Sequence, residues 1–302
     1  MFRRTFNATL LSALVAPASR AVAQPSAAAA SAPAPTAPAA KWSREAYIAA
    51  MQASGRPHDI SAGAFDAIQK RRDAALKNIE RYLAQRFTKA DPAVLKAFAD
   101  LPREYFHYQY ADKRALAADA YEAEAKPWAI GYGSALSDYL GQAYMTQALQ
   151  CAPGDTVLEI GTGSGFQSSL LSRIVKSVYS IEIIEPLGKA VASIYKPLGI
   201  TNVSTKVGDG FYGWPEVQGG FDSIIVTCAA QYVPPALFKQ LKPGGRMLIP
   251  IGQPFKRGQF LFIYSKDADG KVTSRKDVGV FFIPMTGAMM KAPQGAASSG
   301  TN

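Results

Sequence analysis

The feature that most constrains this 302-residue chain is V-L-E-I-G-T-G-S-G-F-Q, Val157 to Gln167. An apolar run carrying one acid, Glu159, passes into three glycines at every second position, Gly161, Gly163 and Gly165. This predicts a buried parallel strand running into a side-chain-free turn and then a helix. Glycines there permit positive φ and let a ligand lie against the backbone. A dinucleotide fingerprint, G-x-G-x-x-G, would need its third glycine at Phe166 and is not met.

Downstream of the loop the same grammar repeats. Val178 to Glu182 predicts a second buried strand ending in a carboxylate, placed to accept the hydroxyls of a ribose. V-G-D-G puts Asp209 and Gly210 at the end of a third strand. Phe221 to Ala230 predicts a fourth strand leading into small residues. Leu241 to Pro250 predicts a Pro-Gly-Gly turn and a fifth strand. Strands alternating with helix-length segments predict a doubly wound α/β sheet, mostly parallel, whose ligand lies beyond the carboxyl ends of the strands. The E-x-G-x-G-x-G spacing resembles the first motif of S-adenosylmethionine-dependent methyltransferases. That resemblance implies a seven-stranded Rossmann-like sheet with S-adenosylmethionine as cofactor. It also implies donor contacts from Glu159, Gly161, Thr162, Gly163, Ser164, Gly165 and Gln167, with Glu182 at the ribose and Asp209 and Gly210 at the adenine.

The termini have a different composition. Residues 1–23 carry Arg3-Arg4, an apolar middle and an A-V-A end, the pattern of a cleavable, twin-arginine-like export signal. Residues 24–41, almost all Ala, Pro and Ser, predict a disordered tether. Residues 42–128 are expected to form an N-terminal helical region, with apolar positions at helical spacing from Trp42 to about Gln85. Residues 129–291 are expected to form the catalytic domain and 292–302 a tail. A periplasmic or secreted location follows from the leader, with a cytoplasmic one as the alternative, since S-adenosylmethionine is made in the cytoplasm.

The formal charge of +10 resides in short clusters, Lys70-Arg71-Arg72, Lys256-Arg257 and Arg275-Lys276. These are expected to be solvated faces, without nucleic-acid partners. No window predicts a membrane span. Cys151 and Cys228 fall at opposite ends of the predicted sheet and are expected to be free thiols. His58 and His107 lie in no metal-binding spacing, so no metal is expected.

From Asp91 onward the resemblance narrows. D-P-A-V-L-K-A-F-A-D-L-P-R-E-Y-F (Asp91 to Phe106), A-I-G-Y-G (Ala129 to Gly133), D-G-F-Y-G-W (Asp209 to Trp214), Gln240 to Gly252 and F-F-I-P-M-T-G (Phe281 to Gly287) resemble protein-L-isoaspartate O-methyltransferases. The likeness covers about two thirds of the chain. It implies a monomeric enzyme that methylates the α-carboxylate of L-isoaspartyl residues in damaged proteins, whose ester then closes to a succinimide. Such a carboxylate is ionised at neutral pH, so no His or Cys nucleophile is needed. The departure lies at Ser134 to Met145. There the family's Q-T-I-S is replaced by S-A-L-S, and about four further residues precede Q-A-Y-M. Read forward, the family's substrate-binding serine is Ser137; read backward from Met145, its place falls to Gly141. Asp138 would bring an unfavourable charge unless turned away. Thr227, in V-T-C-A-A, matches the family's V-T-x-A beside the methyl-donor pocket. Two alternatives stay open: an enzyme of this fold acting on another carboxylate, and a non-catalytic exported peptide-binding module.

Overall fold

The structure is a computed structural model, and it describes residues 42–291 apart from 255 and 257. The expected leader, tether and tail lie outside the described residues.

Four helices open the chain: α1 (Arg44–Ala53), α2 (Ala62–Phe87), α3 (Pro92–Asp100) and α4 (Arg103–Phe106). The segment read as helical from Trp42 to about Gln85 forms two helices, separated after Ser54. Gly55 takes φ +73 and Pro57 lies just beyond it, which ends α1 before Ser61 caps α2 by accepting from the Ala64 amide. Along α2 the buried residues Phe65, Ile68, Arg72, Ala75, Ile79 and Leu83 recur at three- and four-residue intervals. They form one stripe facing the body of the protein. Arg72 corrects the expectation of a solvated basic cluster: it is buried and donates to the Ala99 carbonyl, and its neighbour Arg71 donates to that of Ala118 at 2.6 Å.

Two small hairpins come next, β1 (Tyr108–Gln109) with β2 (Arg114–Ala115) and β3 (Trp128–Gly131) with β4 (Ser134–Leu136). Then comes α5 (Tyr139–Leu149), and from β5 (Thr156–Ile160) onward the chain is α/β. It continues through α6 (Phe166–Ser172), β6 (Ser177–Glu182), α7 (Glu185–Val191), β7 (Val203–Val207), β8 (Phe221–Val226), α8 (Pro235–Gln240), β9 (Leu241–Ile251), β10 (Gln259–Lys266), β11 (Val272–Val280) and α9 (Ala288–Lys291). The sheet has seven strands in the order β11-β10-β9-β8-β5-β6-β7. The five from β9 to β7 are parallel, and β10 and β11 are antiparallel additions at one edge. The doubly wound, mostly parallel sheet expected from the strand spacing is therefore present. Pro243-Gly244-Gly245, expected as a turn before the fifth strand, is instead an irregularity inside β9. Pairing with β8 jumps there from Phe221–Leu241 to Ser223–Arg246.

The N-terminal helices and the sheet share a core. Phe98 of α3 and Phe106 of α4 pack on Phe166 of α6 with ring centroids 5.8 and 4.9 Å apart. Phe166 opens the helix after the glycine loop, so the N-terminal region braces that loop from behind. Cys151 precedes β5 and Cys228 comes after β8, and both are free. No helix among the described residues is long and apolar enough to cross a membrane.

Candidate functional site

Beyond the carboxyl ends of the parallel strands lies a cavity of about 1110 Å³. Its position is the one that parallel strand topology reserves for ligands. The loop after β5 enters it with Gly161 at φ +97 and Gly163 at φ +54. Gly161 is needed twice over, since a Cβ there would also sit 2.5 Å from Thr227 Oγ1. At Gly163 a Cβ would meet nothing nearer than 3.8 Å, because that face opens to the cavity.

Glu182, at the end of β6, stands against this loop. One carboxylate oxygen accepts from the Gly163 amide at 2.8 Å, and the other from the Ile184 amide at 3.0 Å. Burial raises its pKa, and the backbone donors pull it back down. A carboxylate has more acceptor capacity than these backbone donors use, which leaves room for a ligand hydroxyl. Asp209 lies just past β7, accepting from Phe211 at 2.9 Å and from Ala288 at 2.7 Å. The second bond ties the segment from Phe281 onward over this end of the cavity. Gly287 allows that approach, for a Cβ there would sit 2.3 Å from Asp209 and 2.6 Å from Ile183.

Of the residues expected at the site, Gly161, Thr162, Gly163, Ser164, Gln167, Glu182, Asp209, Gly210, Ser137 and Thr227 all line this one cavity. Glu159 and Gly165 do not. Glu159 is fully buried beneath the loop, accepting from the Ser180 hydroxyl, which also pairs with Thr162 Oγ1 at 2.7 Å. Gly165 faces away as well: a Cβ would sit 2.5 Å from Ile194 and 2.9 Å from Val191 of α7. Its part is close packing of α6, not ligand contact. An alternating glycine pattern carries no mark that distinguishes the face turned to the cavity from the face turned to the core.

Ser137, also in the lining, links β4 to α5, and its carbonyl accepts from Arg103 Nη2 at 2.6 Å. Asp138 caps α5, accepting from the Gly141 amide at 2.7 Å, so its charge is directed at a helix N-terminus, where it is favourable. Gly141 also lines the cavity, but it has no side chain and its amide is taken by that cap. Thr227 sits lower: its hydroxyl donates to the carbonyls of Ile160 at 3.0 Å and Gly161 at 2.6 Å. In this arrangement the side chain braces the glycine loop while lining the cavity. Beside it, burial and the charges of Glu182 and Asp209 push the Cys228 thiol up, which keeps it protonated.

Several lining residues carry no simple sequence mark. Ile183, 37 % exposed directly after the strand-end acid, presents an apolar face next to Glu182. Phe281, 65 % exposed, and Tyr132, at φ +55 on the β3–β4 turn, stand at the mouth. An exposed apolar residue beside a ligand acid was the available signal for the first. Among the described residues, no group of three or more His, Cys, Asp or Glu could hold a metal ion.

The arrangement has known counterparts. The family described as Protein-L-isoaspartate(D-aspartate) O-methyltransferase matches residues 74–290. A protein-L-isoaspartate O-methyltransferase of Nitrosospira multiformis is 52% identical over 161 residues, covering 53% of this chain and 67% of the relative. One of Syntrophobacter fumaroxidans is 44% identical over 200 residues, covering 66% and 77%. A solved protein-L-isoaspartate O-methyltransferase superposes with TM-score 0.62 at 28% identity, covering 72% of this chain and 67% of its own. A Plasmodium falciparum structure, described as such a methyltransferase in complex with S-adenosyl-L-homocysteine, superposes with TM-score 0.55 at 20% identity, covering 70% and 97%, and shares the fold. The chain belongs to the protein-L-isoaspartate O-methyltransferase family.

Proposed function

We infer that this protein is an S-adenosylmethionine-dependent protein carboxyl O-methyltransferase acting on L-isoaspartyl residues. The observation that carries the reading is a single cavity that brings together Glu182, the glycine loop, Asp209 and Ser137. The residues fit the donor: a carboxylate with acceptor capacity for a diol, an apolar neighbour in Ile183, and a loop without side chains. S-adenosylmethionine, when bound, supplies an activated sulfonium methyl.

The chain's own contribution is placement. The substrate carboxylate is already ionised at neutral pH, so it would need no activation by a side chain. The glycine loop, Glu182 and Asp209 would hold the donor that supplies the methyl group to a carboxylate oxygen, and the chain would need to supply no base. The apolar walls exclude water from a nucleophile that hydration would otherwise stabilise. Protonation keeps the Cys228 thiol, which also lines the cavity, from competing as a nucleophile.

Glu182→Ala is expected to weaken donor binding by roughly 1.5–3 kcal/mol, the scale of a hydrogen bond to a charged group. Calorimetry with S-adenosylmethionine checks it, and an unchanged affinity would remove Glu182 from the donor site. Ser137→Ala should lower methylation of an isoaspartyl peptide while leaving donor affinity unchanged; equal loss of both would make Ser137 a structural residue. The function itself is tested with a labelled methyl donor and two peptides that differ only in an isoaspartyl or an aspartyl linkage. Label should enter the isoaspartyl peptide alone, and equal labelling of both would point to another carboxylate. We further propose that the enzyme acts as a monomer, without nucleic-acid partners, and outside the cytoplasm. The Arg3-Arg4 leader pattern supports the location.

A further inference from the structure

The cavity extends well past the groups assigned to the donor. The acids Glu182 and Asp209 stand at the ends of β6 and β7 at one edge of the sheet, whereas Val278, Gly279 and Val280 of β11 line the same cavity from the opposite edge. Above that far end stands the last turn of α2, with Tyr82 and Arg86 in the lining. A chain of contacts fixes them there. Tyr144 of α5 donates its hydroxyl to Asp277 of β11 at 2.6 Å. Its ring lies 6.4 Å from that of Tyr82 and 4.9 Å from that of Phe87. Arg86, one turn beyond Tyr82, has its guanidinium carbon 5.3 Å from the Tyr82 ring centroid. The guanidinium is exposed, and among the described residues no carboxylate pairs with it.

A cation on an aromatic shelf, open to the cavity and remote from the donor acids, reads something other than the donor. We propose that Arg86 is a specificity-determining residue that recognises a second carboxylate of the acceptor, a few residues from the isoaspartyl linkage. This rests on the methyltransferase reading and adds to it a charge preference. The second carboxylate is an acidic side chain or the peptide's own C-terminus; both offer a guanidinium the same planar pair of oxygens. The alternative role of Arg86 is purely local, a cation near the negative end of the α2 dipole. That role predicts no dependence on peptide charge, and the test separates the two.

The test uses the full-length chain and a set of isoaspartyl peptides of one length. One carries a glutamate three residues from the linkage with an amidated C-terminus. One has a neutral residue there and a free C-terminus, one is neutral and amidated, and one carries lysine. For the wild type, kcat/KM should be about two- to fivefold higher for at least one carboxylate-bearing peptide than for the neutral amide, the range of an exposed ion pair. The preference should shrink as salt is raised. Arg86→Gln should erase it while leaving turnover of the neutral amide and donor affinity unchanged. Arg86→Lys should retain most of it, and Arg86→Glu should invert it toward the lysine peptide. Whichever of the glutamate and free-terminus peptides gains identifies the carboxylate. Equal losses on all four peptides, or a preference that survives Arg86→Gln, would overturn the proposal. If the wild type methylates none of the four, the isoaspartyl reading itself fails and this inference falls with it.

Discussion

Arg103→Met is expected to destabilise the fold by about 3–5 kcal/mol and to cut methyl transfer while donor affinity changes less than about twofold. Arg103 is among the largest fully buried side chains of the described residues, and its three hydrogen-bond partners are neutral. Its Nε donates to the Ala120 carbonyl at 3.1 Å, Nη1 to Gln142 Oε1 at 2.5 Å and Nη2 to the Ser137 carbonyl at 2.6 Å. Its guanidinium carbon lies 5.0 Å from the Phe166 ring centroid. Burial lowers its pKa to about 10, which still leaves it charged at neutral pH. Methionine fills the volume but orphans two buried acceptors, the Ala120 carbonyl and Gln142 Oε1, each worth about 1–3 kcal/mol, and the half-buried Ser137 carbonyl. Ser137 lines the cavity, so the loss loosens that part of its wall specifically. Urea unfolding and donor titration of the variant check both parts. Unaltered stability, or donor binding lost in step with activity, would contradict this account.

Glu159 carries the second large effect, in the pH dependence of stability. Burial pushes its carboxyl up to about 8, against the lowering hydrogen bonds from Ser180 and Ser168, with Glu182 adding to the rise. Unfolded, the group has an ordinary value of 4.5. Between about pH 4.5 and 8 the unfolded chain is ionised while the folded chain must hold a proton. Stability therefore falls as pH rises through that window, and the full penalty, up to about 5 kcal/mol, is present above pH 8. Glu159→Gln mimics the protonated acid and is expected to flatten this fall, raising Tm most at pH 8 and least near pH 5. Thermal unfolding of both proteins across that range checks it; parallel curves would show that Glu159 is not the group responsible.

How much of this was legible in the sequence depended on whether a residue's role is local. The glycine loop, the acids at strand ends and the parallel strands were legible because each requires a residue type at a fixed place in a strand–turn–helix unit. Glu159 and Gly165 were not separable from their cavity-facing neighbours Gly161 and Gly163, since all four share one alternation and only packing against Ser180 and α7 turns the outer two to the core. Arg72 read as a surface charge, because a carbonyl 27 residues away is its partner. Arg103 bridges Ala120, Ser137 and Gln142, contacts set by tertiary structure alone. The extra residues between Ser134 and Met145 left two alignments open. In the structure Ser137 precedes the Asp138 cap and Gly141 lies within the first turn of α5.

The central claim is that this cavity repairs isoaspartyl linkages, and tracking the linkage itself tests it most directly. The full-length protein would be incubated with S-adenosylmethionine and an isoaspartyl peptide, and the products separated by chromatography over time. The expected result is donor-dependent loss of the isoaspartyl peptide, with the methyl ester and then the succinimide appearing and the normal aspartyl peptide accumulating over repeated cycles. An isoaspartyl peptide unchanged in the presence of bound donor would contradict the account and point to a different acceptor.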